Sequence, residues 1–377
     1  MRKKVVILGA TGSIGTSTVD VLRAHPDRFE LVGASCNTDI RSLRTLLRDF
    51  PFSLLAAVEA RTGEEGMAFT GTDAAVALVR ECRPDIVVNG ISGAAGFLPS
   101  IAALSAGCVL ALANKETIVM AGPLAFSIAE KTGAKILPVD SEHSAIFQLL
   151  QAHGRESVEE LILTASGGPF RGWSAERLRN VTVAEALAHP TWKMGGKISI
   201  DSATLANKGL EVIEAVRMFG FPPSSVSVLV HPQSKVHSLI RLRDGSMYAQ
   251  ISDPDMRVPI QGALFWPECP GKSFGKLNLA GSTLSFEPPD ETAFPMLPLA
   301  YQAARQGGLY PAAYNAANEI AVTAFIAARL RFTDIGSVVA SVMESDWLGG
   351  DLSVESVLDG DARARAAASV AIQEYSA

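Results

Sequence analysis

The chain has 377 residues, 48% hydrophobic and 19% charged, and a formal net charge of -6. That length holds two or three domains, and that balance belongs to an ordinary globular protein. Net acidity argues against a phosphate-tracking nucleic-acid surface, so any anion must be gripped locally by a few cationic and N–H groups.

Four cysteines, Cys36, Cys82, Cys108 and Cys269, stand far apart in sequence. Their spacing offers neither a zinc site nor a disulfide framework and predicts a reduced, cytoplasmic setting. Met-Arg-Lys-Lys at positions 1–4 runs straight into a strand, so no signal or transit segment is expected. No apolar stretch is long and clean enough to predict a membrane span.

In chain order, residues 5–8 read as an apolar strand ending at Gly9, and a helix follows from Ser13 or Thr16 to Ala24. A second strand and helix are expected at 29–34 and 40–50. Further strands fall at 54–58, 85–89, 108–113 and 135–139, with helices at 72–81, 97–106 and 124–131. This alternation predicts an α/β fold whose first domain, residues 1–139, is a Rossmann-like, doubly wound, mostly parallel sheet. A central α+β domain is expected over 140–266. There a strand at 158–165 runs into Ser166-Gly-Gly-Pro-Phe-Arg-Gly-Trp173, with short helices at 174–178 and 183–188 and a turn at Met194-Gly-Gly196. Strands at 226–230, 237–242 and 246–251 are expected to be antiparallel, the last two joined at Asp244-Gly245. Residues 267–295, rich in Pro and Gly, read as a linker, and 296–377 as a C-terminal α-helical bundle.

Gly9-Ala-Thr11-Gly12-Ser13-Ile14-Gly15 joins the first strand to the first helix. This GxxGxxG run is a variant of the dinucleotide fingerprint, in which glycines let the backbone approach a pyrophosphate at a helix N-terminus. The alternative is a glycine-rich turn with no ligand; the strand–turn–helix setting favours the nucleotide. An NAD site carries an acid at the end of the second strand. Here that place reads Ala34-Ser35-Cys36-Asn37, which favours NADP, although the nearest cation is only Arg41.

Asp140-Ser141-Glu142 is expected to end a strand, both acids pointing to one side of the extended chain. With Glu211 they would make an oxygen-rich site for Mg2+ or Mn2+, since three acids without a metal repel one another. The alternative is a surface helix cap. Asn114-Lys115-Glu116 also follows an apolar strand, at the edge where α/β sheets bind ligands, or is a polar loop end. The stretch 189–214, HPTWKMGGKISIDSATLANKGLEVIE, is the densest in polar groups. Ser202 is the expected N-cap of a helix, and Asn207, Lys208 and Glu211 share one face of it. Such a face suits a small anionic substrate; the alternative is a solvated face with an ordinary Lys–Glu pair.

With these motifs assembled, the chain resembles the 1-deoxy-D-xylulose 5-phosphate reductoisomerase family over its whole length. The matching stretches are GATGSIG at 9–15, ANKE at 113–116, VDSEHSAIFQ at 139–148, ILTASGGPF at 162–170, HPTWKMGGKISIDSATLANKGLEVIEA at 189–215, HPQSKVHSLI at 231–240 and NAANEIAVTAFI at 315–326. The resemblance implies rearrangement of the substrate to a branched aldehyde phosphate. NADPH then reduces it to 2-C-methyl-D-erythritol 4-phosphate, in the non-mevalonate isoprenoid route. It implies one divalent metal (Mg2+, Mn2+ or Co2+) on Asp140, Glu142 and Glu211, with Ser141 and Lys115 beside it. Ser166, Ser202, Asn207 and Lys208 would hold the phosphate, with His189 close by. Trp192 and Met194 would lie on a flexible lid over 166–196. NADPH contacts would fall on Thr11, Gly12, Ser13, Ile14, Asn37, Asn114, Glu116 and Gly195. A homodimer, sensitive to hydroxamates such as fosmidomycin, is also implied. Relatives often carry Gly-Lys or Gly-Arg where this chain has Ser35-Cys36, which bears on the 2′-phosphate and not on the reaction. A rival, an NADP-sensing regulatory protein without turnover, would be suggested by loss of a metal carboxylate, and all three are present.

Overall fold

A computed structural model describes residues 1–51, 53–60, 63–192, 194–271, 274–350 and 352–375. Lys193 of the expected lid, Lys272 and Ser273 of the expected linker, and positions 351, 376 and 377 of the C-terminal region lie outside these. The first elements are β1 (Lys3–Leu8), α1 (Ser13–Ala24), β2 (Phe29–Cys36), α2 (Ile40–Leu46), β3 (Leu54–Ala57), β4 (Phe69–Thr70), α3 (Ala74–Cys82), β5 (Ile86–Asn89) and α4 (Phe97–Ser105). Next come β6 (Val109–Leu112), α5 (Lys115–Thr132), β7 (Lys135–Pro138), α6 (Ser141–His153), β8 (Val158–Ala165), α7 (Ala175–Leu178), α8 (Val183–Leu187), α9 (Gly196–Ala203) and α10 (Ala206–Phe219). The chain ends with β9 (Val226–Val230), β10 (Val236–Leu242), β11 (Met247–Ile251), α11 (Arg257–Phe265), α12 (Met296–Gln306), α13 (Tyr310–Ile326), α14 (Asp334–Met343) and α15 (Val354–Tyr375).

Contacts divide the chain into two units. The first comprises 1–117, 125–144 and 255–276, and the second 118–124, 145–254 and 277–377. In the first unit seven strands form one parallel sheet in the order β4-β3-β2-β1-β5-β6-β7. Val5, Val6, Ile7 and Leu8 have no exposed surface, as a strand covered on both faces requires. The order reverses between β1 and β5, and the loops after β1, β5, β6 and β7 leave by the same edge. That edge is where open α/β sheets bind ligands. α11 also belongs to this unit, placing Phe265 edge-on to His25 and Phe29 at 4.7 and 5.0 Å.

In the second unit a four-stranded sheet runs β11-β10-β8-β9. β10 is antiparallel to β8 and β11, as expected, but β9 is parallel to β8. The expectation that 226–230 would be antiparallel is corrected: a long crossover carrying helices returns the chain to start beside β8, and such a connection suits a parallel pair. The Pro- and Gly-rich stretch lends Glu287 as a bridge partner to Val230. Four helices, α12 to α15, pack through small residues, Ala312, Ala313, Ala316, Ala317, Ala321 and Ala324 of α13 being fully buried.

Two further expectations change. α5 starts at Lys115, not at 124, and breaks at Ala121 (φ -145) ahead of Pro123. Gly122-Pro123 therefore interrupts a helix that resumes, instead of preceding one. Among the described residues no helix is long and apolar enough to cross a membrane.

Candidate functional site

In the first unit the glycine loop opens α1. Gly9 has φ +76, and a Cβ on it would lie 3.0 Å from Gly90 O, so this turn needs glycine to pass the loop after β5. A Cβ on Gly15 would come within 2.4 Å of the Ala10 backbone, so the helix can begin this close to the strand only without a side chain. Gly12, the N-cap, offers no side-chain cap, leaving first-turn N–H groups for an anion. Gly12 and Ser13 are exposed and Thr11 and Ile14 half-buried on this loop. Ser35 points inward, its Oγ accepting from Gly9 N at 3.3 Å, and Cys36 is buried with its thiol pushed up to about 11 by burial and by Asp39. Asn37 is exposed and donates to Glu59 at 3.2 Å.

Asn114 caps α5, its Oδ1 accepting from Thr117 N at 3.2 Å while Nδ2 donates to Ile91 O and Gly93 O, each at 2.8 Å. Glu116 accepts from Gly93 N at 3.0 Å. Both side chains are buried and brace the 89–96 loop, which the sequence reading passed over. Its signal was Asn89-Gly-Ile-Ser-Gly93 following an apolar strand.

Lys115, 5% exposed, donates from Nζ to Asp140 Oδ2 at 2.5 Å. Burial alone would raise the Asp140 carboxyl. The Lys115 charge and hydrogen bonds with His143 and Glu142 overcome this and hold it well below the usual carboxylate range. Ser141 Oγ donates to Glu142 Oε2 at 2.5 Å. The expectation of an extended strand end here is corrected: α6 begins at Ser141, and the Asp140 carbonyl already accepts from Ser144 N at 2.8 Å. Carboxylates in a first turn answer the positive end of a helix, which is why an Asp-Ser-Glu run starts one. His143, fully buried with Nδ1 3.8 Å from Asp140 Oδ1, is a neighbour the sequence reading missed.

The second unit gathers the expected phosphate residues. Ser166 Oγ lies 2.9 Å from His189 Nε2. His189 Nδ1 accepts from Thr191 N at 3.2 Å and Trp192 N at 2.9 Å, so the neutral ring carries its proton on Nε2 and donates to Ser166. Burial pushes this imidazole below its ordinary value. Trp192 and Met194 are half-buried and Gly195 opens α9. A Cβ on Gly168 (φ +66) would lie 2.7 Å from Ser202 O, so the Ser166 loop packs directly on the end of α9. Ser202 is not the N-cap of the next helix, as the sequence suggested. It still lies in α9; the N-cap is Leu205 at φ +60, which has no capping side chain, and Thr204 Oγ1 just before it accepts from Ala206 N at 3.3 Å. Asn207, Lys208 and Glu211 do share a face: Asn207 Nδ2 donates to Glu211 Oε1 at 2.5 Å, and Lys208 Nζ donates to Glu211 Oε2. Lys208 and Glu211 are 4% and 1% exposed, so this is no solvated pair.

Sequence models of 1-deoxy-D-xylulose 5-phosphate reductoisomerase match residues 5–122, and models of its C-terminal domain match 136–219 and 251–367. The chain is 48% identical to the 1-deoxy-D-xylulose 5-phosphate reductoisomerase of Treponema denticola, over 97% of this chain and 96% of that one. It is 47% identical to the Treponema pallidum protein of the same name, over 99% and 98%. The solved 1-deoxy-D-xylulose 5-phosphate reductoisomerase of Zymomonas mobilis with NADPH superposes with a TM-score of 0.89 at 39% identity, covering 99% of this chain and 100% of that one. A DOX-P reductoisomerase holding NADPH, fosmidomycin and magnesium gives 0.90 at 38% identity, with 98% of each chain covered. Sequence motifs, parallel nucleotide-binding sheet and near-complete coverage agree, and the chain belongs to the 1-deoxy-D-xylulose 5-phosphate reductoisomerase family.

Proposed function

We propose that the chain converts 1-deoxy-D-xylulose 5-phosphate to 2-C-methyl-D-erythritol 4-phosphate with NADPH and one divalent metal, Mg2+, Mn2+ or Co2+. One observation carries this reading: 38% identity over 98% of each chain to a solved reductoisomerase that holds NADPH, fosmidomycin and magnesium together.

The residues suit both groups. An uncapped helix start behind side-chain-free Gly9, Gly12 and Gly15 fits a pyrophosphate, met by Thr11, Gly12, Ser13 and Ile14. Asn37, Asn114, Glu116 and Gly195 complete the NADPH contacts, the buried Asn114 and Glu116 chiefly by shaping the loop. An ionised Asp140, with Glu142 and Glu211, supplies the hard oxygen donors a divalent cation takes. When bound, NADPH provides the hydride and the metal a Lewis acid at the substrate oxygens. Lys115 and Lys208 set positive charge beside oxygens that gain negative charge during rearrangement, and Ser141 donates to one of them. Ser166, Ser202, Asn207 and Lys208 hold the phosphate, His189 presenting Nε2–H. Grip on this remote group helps to orient the reacting carbons. Trp192 and Met194, in the lid at 166–196, exclude water from the aldehyde.

The enzyme works as a cytoplasmic homodimer in this reading. Edge strand β11, with Met247, Tyr248 and Ile251 each more than one-third exposed, supports a pairing surface, and the free thiols suit a reduced compartment. The test is loss of NADPH absorbance with 1-deoxy-D-xylulose 5-phosphate and Mg2+, repeated with excess EDTA and with NADH. Metal-dependent oxidation that prefers NADPH is expected. No activity with any divalent metal overturns the reading, and equal rates with NADH overturn the cofactor assignment alone.

A further inference from the structure

Asp201 and the Asn315-Ala-Ala-Asn318-Glu319 run have no part in the chemistry above, yet they form a deeply buried polar network in the second unit. Asp201 is 1% exposed, and Asn315 and Asn318 are wholly buried. Asp201 Oδ2 accepts from Lys197 Nζ at 2.7 Å, one turn back on α9. Its Oδ1 accepts from Asn318 Nδ2 of α13 at 2.8 Å. Glu319 accepts from Asn315 Nδ2 at 3.0 Å and from Arg365 of α15 at 2.6 Å, and Arg365 also donates to Asp361 at 2.6 Å. Burial opposes ionisation of Glu319, but Lys197 and Arg365 hold its carboxyl below the usual range. Charges of alternating sign therefore run through α9, α13 and α15.

A buried carboxylate with both oxygens committed to charge-assisted or fixed donors cannot turn without losing one of them. Asp201 directly precedes Ser202, whose carbonyl is the surface on which Gly168 packs. Ser166 thus keeps its spacing to Ser202 only while the end of α9 is held. Lys197 holds Asp201 from within α9, and Asn318 holds it from the C-terminal helices.

We propose that Asp201 and Asn318 are positioning residues that keep Ser202 in register with Ser166, so that the C-terminal helices set affinity for the substrate phosphate. The inference rests on the reading of Ser166 and Ser202 as phosphate ligands. It is tested in the full-length enzyme with Mg2+ and NADPH by comparing Asn318→Leu, Asp201→Asn, and the exchange that joins Asp201→Asn to Asn318→Asp. Each single variant should raise KM for 1-deoxy-D-xylulose 5-phosphate about tenfold or more. The fall in kcat should be much smaller, and NADPH affinity by fluorescence unchanged. The exchange rebuilds the bond with donor and acceptor reversed and should return KM to within about threefold of the parent. Asp201→Asn is isosteric and carries the test where Asn318→Leu impairs folding. Parental KM in the single variants, or an exchange no better than they are, overturns the proposal. Ser202→Ala separates the two ideas. Parental KM there defeats the phosphate reading itself, whereas raised KM there with parental values at Asp201 and Asn318 defeats only the positioning role.

Discussion

Replacing Arg217 with Leu should cost the second unit about 2–6 kcal/mol, at about 1–3 kcal/mol for each of the two buried residues, Ile118 and Val119, whose carbonyls lose its donors. The reason lies in the break of α5. Pro123 has no N–H, so the Val119 carbonyl lacks its helical donor. Arg217 supplies one at 2.7 Å, and also donates to Ile118 O at 3.3 Å and Gly308 O at 3.2 Å. Gly122 makes room: a Cβ there would lie 3.1 Å from the Arg217 Cβ and Cδ. Burial brings the guanidinium down to about 10, still fully charged at neutral pH. Leu keeps the apolar stem and loses every donor, so the loss reports the hydrogen bonds. Urea unfolding followed by circular dichroism measures it. On a Pro123→Ala background an N–H becomes available for Val119 O, and the cost of Arg217→Leu should shrink by about 1 kcal/mol. A cost below about 0.5 kcal/mol, the size of an ordinary surface change, would refute this account, as would an equal cost on both backgrounds.

Three further outcomes are expected. Glu211→Gln removes one of the three carboxylates proposed to hold the metal and should abolish turnover while NADPH binding, measured by fluorescence, stays nearly intact; equal loss of both would count against the metal assignment. Gly15→Ala puts a Cβ where the Ala10 backbone stands and should weaken NADPH about tenfold or more by isothermal titration. His189 titrates below its ordinary value when folded, so protons favour the unfolded chain. The stability it contributes is complete above about pH 6.5 and falls as pH drops below that. His189→Asn, which cannot titrate, should flatten the acid limb of a melting-temperature profile, and an unchanged limb would contradict the assignment.

What a sequence discloses depends on how local the cause is. The glycine loop is legible because each glycine answers a steric demand within a few residues, as at Gly15 against Ala10. Asn207, Lys208 and Glu211 are legible because helical spacing alone brings them together. The start of α5 is not, since the donor that offsets Pro123 is Arg217, on a different helix. Ser202 misleads because a hydroxyl ahead of an apolar helix usually caps it. Here Leu205 takes a backbone conformation rare for its type and stands as the N-cap without a capping side chain. The bond between Asp201 and Asn318 joins residues 117 apart in sequence, beyond any periodicity. The sense of β9 is set by the connection that precedes it, and Val226–Val230 taken alone would suit either direction.

That connection has a consequence for how the enzyme comes into being. The segment between β8 and β9 is also where Ser166, His189, Trp192, Ser202, Asn207, Lys208 and Glu211 lie. The residues proposed to hold the phosphate therefore lie on the crossover itself. It closes only when Val226 pairs beside Leu161, a distant contact that a folding chain makes slowly. A newborn chain would then assemble the proposed phosphate residues late, and a single proteolytic cut between 166 and 202 would uncouple the two serines while every strand of the sheet survived.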